Sequence, residues 1–161
     1  VKILTEIAVA FSSRTVPANV VPSTHAATFE YDEASYFIGR NWQSITYEEW
    51  HIHSDSIYAF TPLAFCYFLP SILSAVVKEN NSDLLVVAAL INMLDRSPDV
   101  DLWDDFFTDR WTLLTVAECR VVQLWILWLA EQQEYDDDTL TRAYETLEML
   151  VLRCSDDRSC D

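Results

Sequence analysis

Gly39 is the only glycine in this chain of 161 residues. Tight hairpins, phosphate-cradling loops and dinucleotide turns need positive φ or a backbone approach that a Cβ obstructs, and glycine supplies both. Neither a Walker loop nor a G-x-G-x-x-G turn can be written from one glycine. All-β folds and nucleotide-binding α/β folds are thereby disfavoured. Half of the residues are apolar, enough for one real core and too many for wholesale disorder. The expectation is an all-α, single-domain bundle over residues 1–161 with about seven to eight helices.

The bundle is expected to form around Ser56–Val77, SIYAFTPLAFCYFLPSILSAVV, which holds no charged residue. Thr61-Pro62 reads as a helix start, because the threonine hydroxyl accepts a free backbone N–H and proline at the first position gives up a donor that has no partner anyway. Pro70 removes a backbone bond further on and should kink or divide the helix into 61–69 and 70–79. The run is long enough to cross a bilayer. Two prolines, three serines, a threonine and two tyrosines within it, with no basic cluster on one flank, favour a core element instead.

Along the chain, ILTEIAVAF predicts a first helix over 3–11, and RTVPANVVP an extended connector. Asp32 is the expected cap of a second helix ending near Gly39. Trp42 falls in a turn, and Thr46-x-x-Glu49 is a capping-box pattern opening a third helix to about Ser54. Ser82-Asp83 should cap the apolar helix LLVVAALINML, and Asp101 should start LWDDFFTDRW. Thr115-x-x-Glu118 is a second capping box for a helix to about Gln133, with Val121, Leu124, Trp125, Trp128 and Leu129 in its apolar band. A last helix carries the stripe Leu140, Ala143, Tyr144, Leu147, Leu150, Val151 and Cys154, and residues 155–161 should fray. Organisation within the one domain is 1–28 (first helix and connector), 29–133 (core), 134–154 (last helix) and 155–161 (tail).

Charge is the other strong constraint. The formal net charge is −16. Residues 1–94 hold 9 acids against 4 bases, a net of −5, and residues 95–161 hold 17 against 6, a net of −11. Such a surface repels nucleic acid and anionic lipid and attracts cationic proteins with salt-sensitive kinetics. Neither nucleic acid nor membrane is expected as a partner. Six tryptophans and fifteen Tyr plus Phe exceed what a small helical core requires, and Trp111 and Tyr135 are candidates for exposure beside acids. An acidic rim around aromatic anchors suits a basic protein surface. The candidate contact residues are Asp101, Asp104, Asp105, Asp109, Trp111, Glu134, Tyr135, Asp136, Asp137 and Asp138. Cys66 and Cys119 read as buried thiols, and the spacing of Cys154 and Cys160 permits a bridge. Glu6 interrupts any signal-like apolar segment, so reduced thiols in the cytoplasm are expected.

His51-Ile52-His53-Ser54-Asp55 is the only cluster with metal-ligand character. On a strand His51, His53 and Asp55 would share a face, as a metal-dependent hydrolase requires. At a helix end they diverge, and His25 in a loop is poorly placed to complete a site. The acid pairs Glu48-Glu49, Asp104-Asp105 and Asp136-Asp138 fit helix starts better than a catalytic pair, which needs one desolvated member. Arg110 is expected to pair with Asp109 or Asp105. No metal, cofactor or catalytic residue is expected.

Phe60-Thr61-Pro62-Leu63-Ala64-Phe65-Cys66-Tyr67-Phe68-Leu69-Pro70 resembles the central motif of a bacterial all-helical family without assigned catalysis. That pattern runs hydrophobic-Ser/Thr-Pro-x-Ala/Gly-aromatic-x-Tyr-Tyr/Phe-Leu-Pro. The resemblance takes in Trp42 and Leu114-Thr115-x-x-Glu118, covering roughly residues 29–133. Leu63 departs from the acidic residue that usually follows the proline, so no role of that acid carries over. By type, a small acidic helical protein also resembles the immunity proteins of contact-dependent and polymorphic toxin systems. That likeness implies a non-catalytic binder whose acidic face, mostly from residues 95–161, docks on a basic toxin domain, often a nuclease. The alternatives are the metal-dependent hydrolase and a regulatory or scaffold helical domain.

Overall fold

The computed structural model describes residues 2–24 and 28–157. His25 and Cys160 lie outside them, so neither the loop histidine nor a Cys154–Cys160 bridge is described. The chain is all-α, with no strand among the described residues. In order come α1 (Lys2–Ala10), α2 (Phe29–Ser35), α3 (Tyr47–Ile52), α4 (Pro62–Glu79), α5 (Leu85–Leu94), α6 (Asp105–Trp111), α7 (Val116–Gln132) and α8 (Asp137–Asp157). Short 3₁₀ turns at Trp42–Ser44, Ser54–Tyr58 and Val100–Leu102 join them.

α4 is the hub, touching α1, α3, α6 and the Trp42–Ser44 turn. Its start is local chemistry, with Pro62 in the first turn and Thr61 Oγ1 accepting from Ala64 N at 3.3 Å. Every residue from Ala64 to Val77 is buried. Pro70 does not divide the helix, contrary to the sequence expectation: α4 runs unbroken through it. A proline inside a helix costs about 3 kcal/mol, and burial on all sides outweighs that when fourteen consecutive residues pack against neighbours. The aromatic half of the motif builds the core beside α4. Phe60 stacks on Phe68 (centroids 5.1 Å apart), Phe37 on Trp50 (4.7 Å), and Phe65 meets Trp111 edge-on (5.3 Å). Trp50 Nε1 donates to Ser71 Oγ on α4 at 2.9 Å.

Both capping boxes form, Thr46 with Glu49 on α3 and Thr115 with Glu118 on α7. Three other expected starts move. Thr28, not Asp32, precedes α2, and Asp32 sits inside it. Ser82-Asp83 does not cap α5, whose cap position is Leu84; Ser82 Oγ donates to Glu134 instead, at 2.8 Å. Asp101 lies in a 3₁₀ turn, and Asp104 caps α6 by accepting from Phe107 N at 2.8 Å. The helix stops show how a chain with one glycine ends its helices. Asn80 closes α4 at φ 52° and Gln133 closes α7 at φ 61°, both left-handed, while Gly39 takes φ 72° beyond α2. α7 packs against α1 and α8, and α5 packs against α8. α8 buries Leu140, Ala143, Leu147, Leu150 and Val151 of the expected stripe, while Tyr144 and Cys154 are only half-buried. It continues to Asp157, past the point where fraying was expected.

Candidate functional site

The acidic segment 95–138 divides into carboxylates that the fold uses and carboxylates left to solvent. Asp104 is used twice: it caps α6 and accepts from Arg96 Nη1 at 2.5 Å. The bond from Phe107 N, and then the arginine, hold its pKa below the ordinary carboxylate range. Asp136 accepts from Thr139 Oγ1 (2.7 Å) and Thr139 N (2.9 Å), which fixes the first turn of α8 and lowers its pKa in the same way. Asp95 takes Arg142 Nε at 2.6 Å. The pairs Arg142–Asp95 and Arg96–Asp104 thus tie α8 to the segment that leads into α6. Asp101, Asp105, Asp109, Asp137 and Asp138 are exposed and form no salt bridge among the described residues, although Asp109 lies within the field of Arg110 and Asp138 within that of Arg142. Glu134, also exposed, accepts from Ser82.

The expected aromatic anchors are not on this face. Trp111 is fully buried, stacked on Phe107 and edge-on to Phe65, so it offers nothing to a partner. Tyr135 is half-buried against the core. Both corrections have one cause: the α4–α6 contact and the α7–α8 turn are tertiary features that absorb the rings. Arg110 is likewise corrected. Its guanidinium donates to the Phe60 carbonyl (2.9 Å) and the Phe106 carbonyl (3.2 Å), lies 3.8 Å from the Phe106 ring centre, and pairs with neither Asp109 nor Asp105.

The histidine cluster does not assemble. His51 is exposed at the end of α3. His53 turns inward, stacked on Tyr36 (4.0 Å) with Nδ1 3.2 Å from Glu33 Oε2. Among the described residues no three His, Cys, Asp or Glu side chains form a metal-sized group. Cys66 and Cys119 are buried, as expected, and burial pushes both thiols up to about 12.

Sequence reasoning missed Arg14. From the connector after α1, its Nε donates to Glu118 Oε1 and its Nη2 to Glu118 Oε2, each at 2.8 Å, and Nη2 also reaches the Leu113 carbonyl at 2.9 Å. Burial opposes the guanidinium's charge, but the Glu118 bonds prevail and raise its pKa. Leu63, Tyr67, Thr115 and Glu118, all from the motif segments, line a pocket of about 550 Å³ with Arg14. The signal was half visible, since the capping box marks Glu118 but not its distant partner. Folding explains three of these motif residues, since Thr115 and Glu118 cap α7, Glu118 holds the connector through Arg14 and Tyr67 is buried in the core, whereas Leu63 stays exposed.

Geometrically, the fold defines a helical bundle with many exposed carboxylates and no metal-sized group of His, Cys, Asp or Glu among its described residues. No protein-family model, curated protein or solved structure matches the chain.

Proposed function

We propose that this chain is an immunity-type protein, a non-catalytic binder that captures a cationic toxin domain and blocks its active site. One observation carries the reading: the acids and bases of the C-terminal half are used unequally. Arg96, Arg120 and Arg142 are each paired with a carboxylate, Arg110 is turned onto carbonyls, and Arg153 lies 5.8 Å from the Trp103 ring centre. Among the described residues the bases of this half are therefore engaged within the molecule, while many of its carboxylates face water. An uncompensated acidic exterior accelerates encounter with a basic surface and selects against nucleic acid.

Tagged protein in native lysate from a bacterium that carries this gene should retain one basic protein, released by moderate salt and identified by mass spectrometry. Expression of that protein alone should arrest growth, and co-expression of this chain should restore it. Neutralising Asp101, Asp105 and Asp109 to Asn in one variant, and Glu134, Asp137 and Asp138 to Gln or Asn in another, should weaken capture. A captured protein that is harmless alone, or capture insensitive to both salt and these changes, would sink the proposal.

A further inference from the structure

α7 was expected to bury an apolar band that included Leu124, yet its solvent side is apolar at the centre. The outward stripe Ala117, Arg120, Leu124, Leu127 and Glu131 recurs at helical spacing and is exposed throughout. Leu124 is 41% exposed and Leu127 51%, and Val9 on the neighbouring α1 is 68% exposed. Grooves run on both sides of this ridge. One of about 390 Å³ lies between α1 and α7, with Val9, Ala10, Val121 and Leu124 in its walls. The other, of about 600 Å³, lies between α7 and α8, with Ile126, Leu127, Leu140 and Tyr144. A solvated helix face normally carries polar side chains, so an apolar ridge between two apolar grooves marks an interaction surface.

The rim indicates the occupant. Asp137 and Glu145 border the α7–α8 groove, and Glu131 closes the stripe one turn beyond Leu127. None of these three has a cationic partner among the described residues. The cations nearby are already matched, Lys2 with Glu6 at 3.6 Å and Arg120 with Glu148. A second copy of this chain would set acidic rim against acidic rim at a net charge of −16 per molecule, which like-charge repulsion opposes. Anionic membrane is repelled on the same grounds.

We propose that the α7 ridge seats a basic amphipathic helix of the partner protein, its apolar residues at i, i+3, i+4 and i+7 entering the two grooves and its Lys or Arg reaching Glu131, Asp137 and Glu145. This rests on the reading of a cationic protein partner and specifies where and in what form that partner engages.

The test uses the full chain and a fluorescent peptide of about 18 residues, long enough to follow α7. Leucines on one helical face and lysines elsewhere make the probe. A second peptide of identical composition has its leucines scattered around the helix. By anisotropy titration the amphipathic peptide should bind about tenfold more tightly than the scattered one, a difference of roughly 1.4 kcal/mol. Leu124→Ser combined with Leu127→Ser should erase that preference at only a modest cost in urea midpoint, since both side chains are about half exposed. The scattered peptide keeps the comparison valid even if the variant is destabilised. Equal binding of the two peptides, or a preference that survives the double variant, overturns the ridge and leaves the cationic-partner reading standing. Failure of both peptides to bind sinks the two together. A dimer in sedimentation, or adsorption to phosphatidylcholine vesicles, that Leu124→Ser and Leu127→Ser abolish would assign the ridge to another occupant and overturn the proposal.

Discussion

Arg14 and Glu118 are the residues whose loss should be felt most, because Glu118 is almost wholly enclosed and its partner comes from a distant segment. Removing one member of a buried pair leaves the other charge desolvated and unmet, at a cost of about 3 kcal/mol or more. Arg14→Met should therefore lower the urea midpoint sharply. Adding Glu118→Gln should recover part of the loss, since glutamine is uncharged and still serves the capping box. A double variant no more stable than Arg14→Met would show that the contact acts through packing rather than charge. Glu49 supplies a pH test. Burial pushes its pKa up, but hydrogen bonds from Tyr36, the Thr46 backbone and Arg40 prevail and bring it from 4.5 down to about 2. A depressed folded-state pKa contributes stability that is complete above the unfolded value and lost as pH falls through the folded one. The stability gap between wild type and Glu49→Gln, from urea titrations, should therefore close as pH drops from 4.5 towards 2. A gap constant over that range would mean that Glu49 is not held ionised.

At the scale of elements, legibility follows the range of the interactions. The two capping boxes were readable because four consecutive residues contain the whole device. The α8 stripe was readable because one face meets the core. The start of α6 was not, since four aspartates compete between Asp99 and Asp105 and the choice of Asp104 coincides with its long-range pairing to Arg96. Pro70 misled because local propensity says nothing of how completely a helix will be enclosed. The candidate site was legible as charge but not as geometry. The acids were visible, whereas the burial of Trp111 and the exposure of Leu124 depend on which neighbours α6 and α7 acquire. Helix ends offer the element-scale prediction. Gln133 ends α7 at φ 61°, a conformation that costs a residue bearing a Cβ about 1 kcal/mol and costs glycine little. Gln133→Gly should raise the unfolding free energy by somewhat under that amount, read as a higher urea midpoint at unchanged slope. A loss of stability would mean that the glutamine side chain makes up for its backbone.

For the whole molecule, the charge of −16 acts in opposite directions on folding and on binding. Compacting so many carboxylates repels the chain from itself, and salt screens that repulsion, the Debye length shrinking from about 10 Å at 0.1 M to about 3 Å at 1 M. Salt also weakens the surface pairs Arg96–Asp104, Arg120–Glu148 and Arg142–Asp95. Exposed pairs contribute only about 0–1 kcal/mol each, against an excess of 16 negative charges, so screening of repulsion should prevail. Raising NaCl from about 0.02 to 0.5 M is expected to increase Tm by a few degrees, on the scale of about 2–4 °C per kcal/mol for a chain of this size. Over the same range the affinity for a lysine-rich partner or peptide should fall, because screening removes the attraction that brings it to the acidic face. Differential scanning calorimetry and anisotropy on one preparation give both slopes. A Tm that falls with salt would mean that the ion pairs outweigh the self-repulsion. Binding that does not weaken would count against a cationic partner drawn to the acidic face, and with it against a basic helix on the α7 ridge.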